Sequence, residues 1–347
     1  MSRTSPRSES TAIARTLGIC FSWAALLGTA KLDKFNEFLV SEPDTLAAVA
    51  KLIGSGSLDD WKSYLRYHAV VAYAPYMAKP FEDEEFDFYN RTIRGQKEQE
   101  PRWKRGINLV DGLIGEALGQ AYVAKFFPQS AKTDMQNLVA NFKVAFGKLV
   151  DKATWMSAAT RAEAHKKLEA FNAKLGYPDK WRDYSSLKIV RDDLAGNVRR
   201  AYEFQYAYDL DKLGGPIDRG EWGMTPQTNN AYYNPQLNEI CFPAGILMPP
   251  YYDPAADLAS NYGEIGATIG HEMSHGFDDQ GRKSDWKGMM RDWWTKEDAA
   301  HYDKEAAKLA KQYSGYEPLP GIHLNGQQTL GENIADLAGL VIAYDAY

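Results

Sequence analysis

Cysteine is scarce in this chain: two residues, Cys20 and Cys241, in 347. Two are too few for a disulfide framework, and they lack the paired spacing of a cysteine zinc site. A strong charge of one sign is also missing. The formal net charge of −6, with no long basic run, argues against nucleic acid as the main partner. No segment is apolar for long enough to form a stable membrane span. Internal repeats are absent, as is low-complexity sequence beyond the polar N-terminus. What remains is ordinary globular composition, 44% hydrophobic and 25% charged. The length leaves room for about two domains, each able to bury a core without disulfide or metal staples.

The N-terminus reads differently from the rest. Arg3, Arg7 and Arg15 precede an apolar run from Leu17 to Leu27, followed by Gly28-Thr29-Ala30. A basic start, a short hydrophobic stretch and small residues resemble a secretory signal, which makes an extracytoplasmic (periplasmic or secreted) location the expectation. A buried helix, or a start placed inside a longer gene, gives the same pattern. Residues 1–30 are therefore set apart as a possible signal segment or misplaced start.

Residues 31–170 read as a helical lobe. Apolar residues recur at helical spacing in Phe35-Phe38-Leu39, Leu46-Val49-Ile53 and Trp61-Tyr64-Leu65-His68-Val71. Ser55-Gly56-Ser57 breaks the second of these from the third, with Ser57 or Asp59 available as a cap. Pro101 opens a long pattern that Pro128 ends, and further helices are predicted over 134–150 and 155–168. The many aromatics of this half are expected to form core. Residues 171–347 have a different texture. Asn230-Ala231-Tyr232-Tyr233 and Glu239-Ile240-Cys241-Phe242, joined by the turn-rich Asn234-Pro235-Gln236-Leu237-Asn238, predict a hairpin.

The chemistry is concentrated in His271-Glu272-Met273-Ser274-His275. Histidines at i and i+4 are neighbours on one helix face and can aim both imidazoles at one ion. Glu272 lies about 60° around the helix from His275, at about 100° per residue, so it reaches a metal-bound water without being a ligand. Zinc would lower the pKa of that water and polarise a scissile carbonyl, while the glutamate accepts the proton. Ile265, Ile269 and Met273 form an apolar stripe opposite the histidines. Gly263, Gly266 and Gly270 weaken helix propensity, so tertiary packing must hold the segment.

A third ligand is needed. A metzincin would continue with glycine at 278 and histidine at 281; Asp278 and Gly281 stand there instead, which excludes that subclass. A glutamate from a second helix is the alternative. Glu332 and Asp336 in Gly331-Glu332-Asn333-Ile334-Ala335-Asp336 share a face, and Leu330, Ile334, Leu337 and Val341 gather on the other side. Glu332 would be the ligand, with Asp336 orienting an imidazole and raising its basicity. Thr329-Leu330-Gly331-Glu332 is also a capping-box pattern, in which the glutamate would only satisfy a backbone N–H. Beside a two-histidine site short of a ligand, the ligand reading is the stronger. His323, in a Gly/Pro/Asn-rich loop, and His301, in a charged helix, are the competitors.

These residues resemble the neprilysin and endothelin-converting-enzyme family of zinc endopeptidases. Three blocks agree in order: Asn230 to Tyr233, His271 to Gly281 (HEMSHGFDDQG) and His323 to Gly339 (HLNGQQTLGENIADLAG). Phe242 to Leu247, Trp103 with its following helix and the Gly176-Tyr177-Pro178 turn are also similar, so the resemblance spans about 31–347. It implies a mainly α fold, a helical lobe plus a thermolysin-like α+β zinc-peptidase domain with a small antiparallel sheet, the latter over 171–347. It implies one zinc per chain on His271, His275 and Glu332, Glu272 as general base, and Asp336 and Asp278 behind the ligands. Asn230 and Ala231 would hold an extended peptide substrate, and Ile246 and Tyr251 would line the pocket for its hydrophobic side chain after the cleaved bond. The implied activity is hydrolysis of oligopeptides on the amino side of hydrophobic residues.

Family members run well beyond this length. Their later His and Arg, which stabilise the tetrahedral oxyanion, have no counterpart before Tyr347. One oxyanion donor is worth about 10²–10³ in rate. The alternative expectation is thus a catalytically impaired, truncated member that retains zinc and peptide binding.

Overall fold

Ser57 and Pro101 stand before helices as the sequence predicts. A computed structural model of the chain describes residues 22–38 and 40–347. Arg3, Arg7, Arg15, residues 17–21 of the apolar run, Cys20 and Leu39 lie outside the described residues, and so does that part of the signal reading. Ser57 Oγ accepts from the Asp60 amide at 3.1 Å and caps the Leu58–Tyr73 helix, with Asp59 and Asp60 in its first turn. Pro101 precedes the Arg102–Phe126 helix, and Pro128 separates it from the Gln129–Lys152 helix. The last helix predicted for this half starts later than expected, at Ala158, because Ser157 caps it through the Thr160 amide.

Packing divides the chain into two units, residues 1–105 with 187–216 and residues 106–186 with 217–347. This division cuts the chain at other places than the 170/171 boundary read from the sequence. The first unit holds the Trp23–Thr29, Pro43–Ser55, Leu58–Tyr73, Lys79–Glu85 and Leu194–Lys212 helices. Its aromatics do not form the expected core. Tyr64, Tyr67, Phe81 and Phe88 are exposed, and Phe86 is the buried aromatic among its described residues. Helical periodicity placed Tyr64 on a stripe with Trp61; the two rings meet edge-on, centroids 5.5 Å apart, and Tyr64 stays exposed.

The second unit is built on a three-stranded sheet of order β1-β3-β2, with β1 Asn172–Gly176, β2 Tyr232–Asn234 and β3 Glu239–Pro243. The predicted hairpin is present: Tyr232 pairs with Cys241 and Asn234 with Glu239, antiparallel. The sheet is mixed, not wholly antiparallel, because β1 pairs parallel to β3 from Asn172↔Glu239 to Gly176↔Pro243. Central β3 is buried throughout and β2 lies at an edge. A buried ion pair of Lys174 and Glu239 (2.7 Å) ties β1 to β3, with Tyr232 and Asn172 also donating to the glutamate.

The Gln129–Lys152 helix covers this sheet with Met135, Leu138, Val139 and Phe142. These join Ile240, Phe242, Ile265, Ile269, Met273 and Ile342 in one core. Among the described residues no helix is long and apolar enough to cross a membrane.

Candidate metal centre

The histidine pair closes a helical run made of Leu258–Asn261, a π turn at Tyr262–Gly266, and Ala267–Ser274, with His275 as the C-cap. The expected apolar stripe is real: Ile265, Ile269 and Met273 are all fully buried. Burying that side leaves His271 and His275 on the opposite one, with side chains 20% and 17% exposed.

A second helix, Leu330–Ala346, crosses this one and makes the most extensive contact of any two elements. Its buried face is only partly the predicted one: Leu330 is buried and Ile334 half-buried as expected. Leu337 and Val341 are exposed, while Ala335, Gly339, Ile342 and Ala343 are buried. Small residues win that face because the helices nearly touch: a Cβ on Gly270 would stand 2.5 Å from the Gly339 carbonyl oxygen. This crossing explains the helix-weakening glycine at 270. It also carries Glu332 and Asp336 to the histidines.

The structure brings the predicted ligands together. His271 Nε2 and His275 Nε2 are 3.0 Å apart, and Glu332 Oε2 lies 3.4 Å from the first and 3.7 Å from the second. Atoms held about 2.0–2.1 Å from a tetrahedral zinc are about 3.3–3.4 Å from one another, so the spacing suits such an ion. Among the described residues this is the single group of three or more His, Cys, Asp or Glu side chains placed to hold a metal. Thr329 makes no side-chain cap bond and its amide donates to the Asn325 carbonyl at 3.2 Å, so Glu332 does not serve as a capping-box partner. His301 instead stacks on Trp155, ring centroids 4.8 Å apart, and neither it nor His323 joins the cluster.

Each histidine has a carboxylate behind it. His271 Nδ1 is 2.8 Å from Asp336 Oδ1, and His275 Nδ1 is 2.7 Å from Asp278 Oδ2. A proton on each Nδ1 satisfies these bonds and leaves both Nε2 lone pairs facing the glutamate oxygen. Three lone pairs converging without a proton between them repel one another, and a cation is what such a set fits. The His275 imidazole feels burial, which lowers its pKa, but Asp278, Glu272 and Glu332 outweigh that and the net shift is upward.

Glu272 is buried, 6% exposed. Loss of hydration pushes its carboxyl up to about 7; Glu332 adds to the rise, while His275 and a backbone hydrogen bond from Tyr233 on β2 oppose it. A carboxyl in that range can take up and release a proton near neutrality.

The predicted substrate residues are more scattered in character. Asn230 and Ala231 immediately precede edge strand β2, Asn230 exposed with its side-chain oxygen accepting from the Ala231 amide at 2.9 Å. Ile246 is buried in the core, whereas Tyr251 is exposed. Tyr233 and Gly281 fall within the resembling blocks without a role of their own, and Lys167 carries no signal in the sequence. The bond from Tyr233 to Glu272 depends on strand placement, and Lys167 sits in a helix read only as one more of the helical lobe.

Two models of peptidase family M13 match the chain, over residues 10–178 and 230–347. A neutral endopeptidase of Lactobacillus helveticus is 37% identical over 328 residues, covering 94% of this chain and 50% of that protein. Endothelin-converting enzyme 1 of Bos taurus is 32% identical over 344 residues, covering 96% and 46%. The inhibitor complex of Mycobacterium tuberculosis zinc metalloprotease Zmp1 superposes with a TM-score of 0.91 at 46% identity, over 97% of this chain and 52% of that one. The chain thus spans about half the length of the relatives it matches.

Proposed function

Since this chain belongs to peptidase family M13, we propose that it acts as a zinc metalloendopeptidase on oligopeptides, cleaving on the amino side of hydrophobic residues. One zinc ion per chain is held by His271, His275 and Glu332. When bound, zinc supplies a Lewis acid that acidifies water and polarises a carbonyl. The chain's own residues do the rest. Asp336 and Asp278 keep the Nδ1 protons of His271 and His275 and so fix the ring orientations. Glu272, desolvated beside the ligand cluster, accepts a proton from the attacking water as its oxygen bonds to the scissile carbonyl carbon, and passes that proton to the leaving amine as the C–N bond breaks. Asn230 and Ala231, immediately before edge strand β2, are proposed to meet the backbone of an extended peptide. Ile246 and Tyr251 are proposed to meet the hydrophobic side chain after the cleaved bond.

The observation that carries this reading is the convergence of three lone-pair-bearing atoms within 4.8 Å, each imidazole backed by a carboxylate. The test is a zinc and activity measurement on the purified chain and its Glu272→Gln variant. Both should hold one zinc, and the variant should lose about 10²–10⁴ in rate on a hydrophobic reporter peptide. A chain without stoichiometric zinc would overturn the metal site; undiminished activity in the variant would overturn the role of Glu272. Zinc and peptide binding without turnover in the wild type would favour the non-hydrolytic alternative.

A further inference from the structure

Lys167 is almost fully buried, 1% exposed, although it lies outside the ligand set. Its Nζ donates to the carbonyls of Gly281 (2.8 Å) and Ser284 (2.6 Å). The rings of Tyr233, Phe277 and Trp293 surround the same nitrogen, with centroids 5.8, 5.7 and 5.9 Å away. Trp293 Nε1 also donates to the Ser284 carbonyl, at 3.0 Å. A buried amine with two carbonyl acceptors and three aromatic faces is a fixed strut between the Ala158–Glu169 helix and the turn after the histidine helix.

That turn leads back to a ligand. The Gly281 and Gln280 amides donate to Asp278 Oδ1 at 2.6 and 2.9 Å, and Asp278 Oδ2 takes the His275 Nδ1 bond. The turn also presses directly on the ligand's backbone, since a Cβ on Gly281 would stand 1.7 Å from the His275 carbonyl oxygen. Lys167 thus reaches His275 through one peptide segment and one carboxylate. We propose that Lys167 is a positioning residue for the metal centre, clamping the Gly281–Ser284 turn so that Asp278 holds the His275 ring in its ligating orientation. This rests on the metal reading above.

Zinc dissociation constants of the full chain, measured by chelator competition, test it. Lys167→Met keeps the apolar stem among the rings and removes both donors. It should weaken zinc about 10–100-fold, the range for partners that orient a ligand. Asp278→Asn should weaken zinc comparably, and the double variant should be no more than about threefold worse than Asp278→Asn, because both act along one path. Lys174→Met removes another buried lysine of the same unit, bonded to Glu239 and the Glu221 carbonyl; its zinc affinity should stay within about twofold. Should Lys167→Met fail to fold by circular dichroism, Lys167→Gln takes its place with a loss in the same direction. Wild-type affinity in a folded Lys167 variant would overturn the proposal. So would an equal loss in Lys174→Met, or a double variant whose losses multiply. A wild type that binds no zinc would overturn the metal reading itself, an outcome distinct from these.

Discussion

Gly270 and Gly339 bring two helix backbones into contact: a Cβ on Gly339 would stand 2.6 Å from the His271 amide nitrogen, and one on Gly270 2.5 Å from the Gly339 carbonyl oxygen. The separation of the helix carrying the histidines from the helix carrying Glu332 and Asp336 is set at this point. Gly339→Ala must therefore push backbone against backbone. Overpacking costs about 1–3 kcal/mol and the better helix propensity of alanine returns up to about 1, so a net loss of about 1–2 kcal/mol is expected. Zinc affinity should fall with it, because Glu332 moves with the helix. Gly106→Ala is the control, since nothing lies within 4 Å of the added carbon; it should stabilise by about 0.5–1 kcal/mol. Urea midpoints and chelator competition on both variants check this, and an unperturbed Gly339→Ala would mean the crossing is looser than the structure shows.

The two carboxylates behind the histidines should separate affinity from stability. In the proposed reading Asp336, 2.8 Å from His271 Nδ1, is a positioning residue that acts through that imidazole. Its side chain is 72% exposed, against 7% for Asp278, which also accepts two backbone amides. Asp336→Asn should lower zinc affinity about 10–100-fold and change stability by less than about 0.5 kcal/mol. Asp278→Asn should lower affinity similarly and cost about 1–3 kcal/mol more, because buried charge-assisted hydrogen bonds are weakened. Thermal unfolding of the metal-free variants, beside their zinc constants, reads both quantities. Unchanged affinity in Asp336→Asn would show that it does not orient His271.

Why this centre was legible in the sequence, and its supports were not, follows from range. His271, His275, Glu332 and Asp336 sit at i, i+4 spacings, and a helix converts that spacing into a shared face without outside help. Periodicity does not say which face meets a neighbour. Leu337 and Val341 looked like core and are exposed, because the close crossing selects the small face of Ala335 and Gly339. Tyr64, on a predicted apolar stripe, is exposed for the same reason. Strand β1, Asn-Ala-Lys-Leu-Gly, has few β-formers and exists because β3 offers it a parallel edge. Lys167 was invisible for want of any local signal: its partners Gly281 and Ser284 lie over a hundred residues away, 114 and 117.

The same lysine should leave a mark on stability as a function of pH. Burial pulls its amine down to about 7, with Asp278 and Asp285 opposing the shift, whereas an exposed lysine titrates near 10.4. The unfolded chain therefore keeps this proton up to about pH 10, while the folded chain releases it near 7. Between those values the unfolded state binds more protons, so the contribution of Lys167 to stability rises with pH. Below about pH 7 both states are protonated, and the folded state bears the full desolvation penalty with no further pH dependence. Urea unfolding with chelator present, from pH 7.5 to 9.5, should show the wild type gaining on Lys167→Met by up to about 1 kcal/mol per pH unit. Subtracting the variant removes the other titrating groups common to both. A gap that stays constant across this window would mean that the folded chain holds the Lys167 proton as tightly as the unfolded one, with the carbonyls and aromatic faces fully offsetting its burial.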